Sequence, residues 1–544
     1  MAEFYYWCKS FPTVFDYRDD EGKEYCVFHA PLGKKGITAE LFNEMVFGEI
    51  KQAITNNAEK VCNLSGTIFD NTISFHHFNQ DNPLPNMLFN DVVFHSYANF
   101  TNTHFSGVTK FINTKFHRHA NFNMAIFKQT VEFSFANFFE GAIFSPSYFH
   151  GPVHFSYATF HDDVNFDNSL FYKEALFMFS KFYKVSKFIK TNFNCDAIFH
   201  NAKFYNKTSF TGFIANESAR FTDSKFNGLV DFNNAKFNQG AYLNNIVFKN
   251  KSFFVETIIL GETNFGKTVF HDDLAFDNVQ CCGNVNFNEA LFFSTGKFRG
   301  KTFFKNVSFE NVLIKDKLVF EEVNLANTIF LYTDIRNIEF INCLWRKKYG
   351  RKVLFDEINI IGIRKLQWDI SEYRNQFSRI EILYRLLKNK YKSDDNLPEI
   401  SNWHYGEKEM YRKGNPLRRY FPISLSNLYW ISSGYGEKPI RSGIILLILF
   451  LSITTLMAYH GLILAKATSV SGITSINNLD DIKNFQNIKA IILNTLQTVT
   501  FQKETLFVPR NDSISGEYIK IMSQILIPIQ VALFALAVRN KFKR

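Results

Sequence analysis

The residues best equipped for chemistry are few. Cys26 and His29 stand three apart in Cys26-Val27-Phe28-His29, with Cys8 before them and Cys62 after. Three thiolates and one imidazole are an accepted structural zinc set, and Cys-x2-His is half of such a set. Zinc would staple a short segment that has little core of its own. The same side chains also read as buried, unliganded residues, with a redox or catalytic role as the remaining alternative. Adjacent carboxylates occur at Asp162-Asp163 and Asp272-Asp273. They are most simply solvated corners, because no recurring partner for acid–base work accompanies them. No nucleophile–base set, phosphate loop or cofactor fingerprint appears, so a non-enzyme is expected. The seven cysteines are odd in number and unevenly spread, and Met1–Ser10 lacks a basic start followed by an apolar run. A reducing cytoplasm is therefore expected for everything before the membrane segments described below.

What positions these residues is a repeat. The chain of 544 residues contains 65 Phe against 8 Met and 12 Pro. Aligned on Phe, it shows a lattice at Phe100, Phe105, Phe111, Phe116, Phe122 and Phe127 whose steps alternate five and six. Carried to Phe320 without a slip, this lattice has 41 positions, 36 of them Phe. Ala215, Leu243, Ile259, Cys281 and Ile314 fill the rest. Two residues earlier a small or β-branched residue recurs, as at Ala98, Thr103, Ala120, Ala125 and Val164. A period of five to six suits neither a helix nor a single strand. It suits a short extended side, a corner, and one large residue pointing inward per side, with the residue two before it facing the same way. Four sides take 22 residues, so positions 89–340 form about eleven coils stacked at ~4.8 Å, on the order of 50 Å in all. The Phe column is core and carries no function of its own.

The stretch "ANFNMAIFKQTVEFSFANFFEGAIF" resembles the pentapeptide-repeat family, whose unit places Ala two positions before a central Leu or Phe. The resemblance implies a mainly β fold, a right-handed quadrilateral β-helix, over residues 64–343. The extra residue in every second side departs from the family's plain step of five and reads as a regular bulge or a wider corner. Residues 1–63 are expected to cover the open end, with a helix around Ala39 to Asn57. "YCVFHAP" is similar to a segment near the start of membrane-tethered pentapeptide-repeat proteins.

Net charge is +10 overall, but its location decides the partner. Asp91 to Phe340 holds 24 Lys and Arg against 23 Asp and Glu, whereas Leu344 to Arg441 holds 20 against 11. The excess lies just ahead of an apolar segment, which favours a membrane surface over nucleic acid. In the basic neck, 344–441, Ile370, Tyr373, Phe377, Ile380, Leu383, Tyr384, Leu387 and Tyr391 form one apolar helical stripe. A second helix is expected from about Glu399 to Lys413, closed by Gly414-Asn415-Pro416. Ile444–Leu464 and Ile521–Val538 read as two membrane spans within 442–544. Lys438 and Arg441 before the first span and the basic end after the second place both flanks in the cytoplasm. The wording of the neck resembles the segment that joins pentapeptide repeats to a two-helix membrane domain in bacterial proteins, which implies a bacterial inner membrane.

Between the spans, Ile488 to Leu496 reads as a short apolar helix leading into Thr495, Gln497, Thr498 and Thr500. Span, short helix, threonine-containing turn and span together resemble the pore module of two-transmembrane potassium channels. Where that family has Gly-Tyr-Gly, this chain has Phe501-Gln502-Lys503, a departure at the step that turns carbonyls toward the axis. The expectation is a homo-oligomeric, two-span protein whose cytoplasmic β-helix binds or senses a protein partner, with a pore gated through the neck as the alternative. Lipid is an expected partner, nucleic acid is not, and structural zinc is the one cofactor considered.

Overall fold

The computed structural model describes residues 15–22, 24–56, 61–363, 370–393, 396–414, 424–464, 475–476, 485–500, 502, 507–510 and 514–542. The chain divides into two compact units. The first runs to Lys347 and includes Leu354–Asp356, and the second holds Lys348–Val353 and everything from Glu357 onward.

The first unit is a β-solenoid of about 13 turns. Its strands are parallel and mostly two residues long, so that Ala120 pairs with Ala98 in the coil before and Ala142 in the coil after. They form ladders of 12, 13 and 21 strands, the last drawn from two sides of each coil. The two kinds of side differ at their corners. In a five-residue side the Phe100 carbonyl accepts from the Thr103 N–H at 3.2 Å, closing a turn in which Asn102 has φ +56°. Asn113, Asn168, Asn201 and Asn234 repeat this left-handed backbone, and Gly212 and Gly300 supply it elsewhere. Asn and Gly are the residues for which that conformation is cheapest. A six-residue side is wider: between Phe105 and Phe111 the Val108 N–H turns to Asn86 Oδ1 in the previous coil at 2.7 Å. At such a bend a Cβ on Gly151 would sit 2.3 Å from the Gln129 carbonyl carbon, so only glycine fits there. The extra residue is therefore a wider corner.

Inside, each Phe stacks on its counterpart 22 residues away and meets other columns edge-on. Phe100–Phe122 and Phe122–Phe144 are 4.7 and 4.8 Å apart within 3° of parallel, while Phe111–Phe122 is 5.7 Å at 83°. Both are favoured arrangements of the ring quadrupole. The small residues two positions earlier are buried, and some of the hydroxyls among them find backbone acceptors, Thr114 Oγ1 donating to the Phe89 carbonyl at 2.6 Å and Thr191 Oγ1 to Phe166 at 2.9 Å, while Thr103 Oγ1 does not. A hydroxyl bonded in this way can be buried without the cost of an unmet bond.

The lattice slips once. Cys281 pairs with Phe304, not Phe303, through a register shift between Cys281 and Asn284. Phe304 is 3% exposed and Phe303 46%, because a local one-residue shift, undone where Asn284 pairs with Asn306, reverses which of two adjacent side chains faces inward. The expected count of about eleven coils also falls short, since pairing begins with Cys62 on Met87, ahead of the regular lattice. At the other end Leu318 pairs with Ile338, twenty residues on, so the last coil takes the plain step of five. Trp345 covers Phe340 at 5.1 Å there, and the Asp356 side chain accepts the Phe330 N–H at 2.9 Å. At the opposite end lies helix α1 (Ala39–Asn56), which buries Phe42, Val46 and Ile50.

The second unit is helical. Helices α2 (Phe355–Ile363), which starts within the first unit, α3 (Ile370–Ser393), α4 (Leu397–Lys413) and α5 (Leu425–Ser433) precede two long apolar helices. These are α6 (Pro439–His460) and α8 (Ile514–Phe542), both long and apolar enough to cross a membrane, with the shorter α7 (Phe485–Val499) between them. The first apolar helix starts five residues before Ile444 and ends at His460. Gly461 breaks it, and Leu462–Leu464 form a strand paired with Ser475–Ile476 and Phe507–Pro509. On α3, Phe377, Ile380, Leu383, Tyr384 and Leu387 are buried as the stripe requires.

Two buried ionic clusters hold this unit. Arg351 forks onto Glu357 at 2.7 and 2.8 Å, Tyr384 donates to the same carboxylate at 2.7 Å, and Lys413 lies 3.5 Å away. Glu409 accepts from Arg412 at 2.8 Å and from the Tyr435 hydroxyl at 2.9 Å. Burial pushes the Glu409 carboxyl up, but Arg412 and Lys413 more than offset it and hold its pKa down to about 2.

Candidate functional site

The surface feature that the fold builds is aromatic. A residue just after each strand of the 12-stranded ladder faces outward and falls in line with its counterparts one coil away. His95, His117, Phe139, His161, Tyr183 and Tyr205 form one continuous row, with ring separations of 4.8, 4.8, 4.8, 5.3 and 4.7 Å. Phe139, Tyr183 and Tyr205 are exposed. On the other side of the same strands Phe135, Tyr157 and Phe179 make a second row at 4.9 Å spacing. These three occupy the left-handed turn position, φ +61°, +61° and +58°, where Asn113 and Asn201 stand in flanking coils. An aromatic there costs roughly 1–2 kcal/mol of backbone strain that Asn largely avoids. Three exposed, strained aromatics in successive coils are an outlier that core packing does not explain.

Between the rows lie Asn137, Thr159 and Lys181, whose side chains point outward. Burial lowers the pKa of His117, helped by His95 and Lys115, and burial followed by Lys181 does the same to His161. These two histidines of the row are therefore neutral near pH 7. Because the rings stack face to face, their faces are covered and their edges point to solvent. An edge is the positive rim of the quadrupole and suits carbonyls, carboxylates or the faces of other rings. The signal for both rows in the sequence is the lattice read at +1 and −3 with a period of 22.

The acidic pairs are structural. Asp163 Oδ1 accepts the Val185 N–H at 2.9 Å, and Asp273 Oδ1 accepts from Ser294 Oγ at 2.8 Å.

Of the zinc candidates, Cys8 lies outside the described residues. Cys26 Sγ and His29 Nδ1 come within 3.1 Å of each other, and the other ring nitrogen of His29 bonds the Ser65 carbonyl at 3.0 Å. Cys26 is disulfide-bonded, a departure from the reduced cysteines expected of this segment, and burial, then Glu49, pushes the Cys62 thiol up to about 12. A zinc ion takes thiolates. Cys26 in its disulfide does not present one, and no group of three or more metal-ligating side chains forms among the described residues. Lys35 ties the segment together, its buried ammonium donating to the carbonyls of Val27 (2.6 Å), Phe28 and Ala30. Burial lowers its pKa to about 8, with Asp70 acting in the opposite sense.

The candidate pore residues fall on α7 and its end. Thr495, Gln497 and Thr498 are within the helix, and Thr500 follows it. Their hydroxyls turn back to helix carbonyls: Thr495 to Ile491 at 2.9 Å, Thr498 to Asn494 at 2.8 Å and Thr500 to Leu496 at 2.9 Å. Thr495 and Thr498 are buried and Thr500 is exposed. Phe501 and Lys503 lie outside the described residues.

Among curated proteins none matches the chain. Residues 89–137, which carry the first rings of both aromatic rows, match the family described as pentapeptide repeats, nine copies.

Proposed function

We propose that this protein is a membrane-tethered scaffold, non-catalytic, whose solenoid binds or senses a protein partner on the cytoplasmic side. The paired aromatic rows carry this reading. They form an aromatic, edge-presenting strip on a regular β surface, and exposed aromatics are the residues that dominate protein interfaces. The near balance of charge over the repeat argues against a nucleic-acid partner. Tethering is supported by α6 and α8, whose apolar windows are only 22% buried, unlike the core helix of a soluble protein. Ile444, Leu447, Ile448 and Leu451 on α6, and Ile521, Ile525 and Ile529 on α8, are exposed. The flanking Lys438, Arg441, Arg539 and Lys541 favour cytoplasmic ends and an inner membrane.

The test places a photo-crosslinking residue at Tyr157 or Tyr183 of the full-length chain in membranes, with a matched probe at Lys251 outside the rows. A discrete protein adduct from Tyr157 and Tyr183 but not from Lys251 is expected. Equal or absent labelling at all three sites rejects the scaffold reading.

A second reading, a pore in a homo-oligomer, draws on α7. This helix is ~22 Å long by rise per residue, too short to span. It packs into one apolar cluster with both long helices through Ile491, Ile453, Met457 and Ile527. Planar-bilayer recording of the purified protein decides it: no conductance under any condition removes the pore.

A further inference from the structure

A cavity of about 990 Å³ opens beside the start of α6, wholly within the second unit. Six basic side chains line it (Lys348, Arg351, Lys413, Lys438, Arg441 and Lys541) against three acidic ones, Glu357, Glu409 and Glu437. Glu357 and Glu409 are engaged inside the protein by Arg351, Arg412 and Lys413. Glu437 accepts a hydrogen bond from Ser401 Oγ. Among the described residues Lys438, Arg441 and Lys541 have no carboxylate within ion-pair distance. Aromatic rings hold two of these cations in place: the Arg441 guanidinium lies 4.6 Å from the Trp430 ring and Lys438 Nζ 6.0 Å from the Tyr405 ring. The first turn of α6 adds to the positive potential. Lys438 at its N-cap makes no side-chain capping bond and Pro439 has no N–H to offer.

The cavity does not end in polar surface. Pro439, Ile440, Ile444 and Lys541 also line an apolar groove that continues between α6 and α8 past Gly443, Leu447, Phe534 and Val538. A Cβ on Gly443 would stand 3.2 Å from Phe534, so the small residue keeps the groove open beside that ring. A free phosphate or an acidic peptide would use the basic cavity but leave the groove unexplained. A neutral lipid would do the reverse.

We propose that cavity and groove together bind an anionic glycerophospholipid, its phosphate among Lys438, Arg441 and Lys541 and one acyl chain along the groove. The proposal rests on the reading that α6 and α8 cross a bilayer, which would set Lys438 and Lys541 at headgroup level.

The test uses the full-length protein purified in mild detergent. It is incubated with equal amounts of phosphatidylglycerol and phosphatidylcholine, and retained lipid is counted by native mass spectrometry. Retention of phosphatidylglycerol by about tenfold or more over phosphatidylcholine is expected, since each basic residue contributes about 1 kcal/mol. K438Q/R441Q/K541Q should abolish that preference, while the charge-matched K184Q/K390Q/K392Q, outside the cavity, should keep it. Leu447→Gln should lower retention with the charges intact. Equal retention of the two lipids overturns the proposal, as does loss in the control triple variant or full displacement by inorganic phosphate alone. Alkaline extraction of membranes separates the two readings. A chain released by carbonate refutes membrane insertion itself, whereas a resistant chain without lipid preference refutes only this site.

Discussion

The two units solve the same problem in opposite ways. The solenoid obtains its order by repetition: coil pairs with coil, Phe column runs on from Phe column, and most contacts resemble their neighbours. The helical unit obtains its order from a few buried charges, Arg351 and those on α2 and α4, each pair unlike any other. A repeat distributes a local defect over nearest neighbours. A buried ionic cluster cannot, because removing one member leaves an uncompensated charge in low dielectric.

That contrast is open to direct test. Glu357→Ala would strand the buried Arg351, while Lys413 keeps Glu409, and should destabilise the second unit by about 3–5 kcal/mol. Denaturant unfolding of the full chain, with proteolysis to report each unit, should show the solenoid unchanged. Asp356 asks whether the solenoid's own terminus behaves like its neighbour. Burial raises this carboxyl to a pKa of about 7, partly offset by the Phe330 N–H. With the folded value above the unfolded ~3.9, its contribution is fully present below about pH 3.9 and is lost as pH rises toward 7. Relative to Asp356→Asn, the wild-type solenoid should therefore lose about 2–4 kcal/mol across that window. Parallel slopes for the two proteins would refute this.

Phe133→Leu should cost only about 1–1.5 kcal/mol, since Leu243 already occupies a lattice position and the coil keeps its pairing. A loss approaching that of Glu357→Ala would mean the solenoid is less forgiving than repetition implies. The smallest expected effect concerns the cap. Metal analysis of the full-length protein, oxidised and then reduced, should show no zinc while Cys26 is bonded. Stoichiometric zinc in the oxidised protein, lost in Cys26→Ser, would restore the metal staple.

How far each unit is legible in its sequence follows the same division. A period states itself many times, so the Phe lattice and its inward small residues stand out from residue spacing alone. The lattice puts Phe303 inside, wrongly, because a local one-residue shift is silent in a pattern scored by Phe when Phe304 stands next to it. The coils before Phe89 fall inside the expected span of 64–343 but outside the count of eleven, because their spacing is irregular. In the helical unit the apolar stripe of α3 is visible, as periodicity is. The partnership of Arg412 with Tyr435, or Lys352 with Glu399, is not, since such pairs lie tens of residues apart and have no period. The threonines of α7 read as a turn because short apolar runs do not reveal where a helix stops.

The left-handed turn that recurs at intervals of eleven residues has one more consequence. Because each pair of turns returns the chain to the same side, a whole coil of 22 residues can be removed or duplicated while every column and pairing still closes. Each such event would change the length by one strand spacing, ~4.8 Å, and move the aromatic strip by the same graduation. The solenoid is in that sense a ruler. The side ending at Phe304 is one residue out of step, but Asn284 on Asn306 restores the spacing of 22, so copying by whole units keeps phase across it.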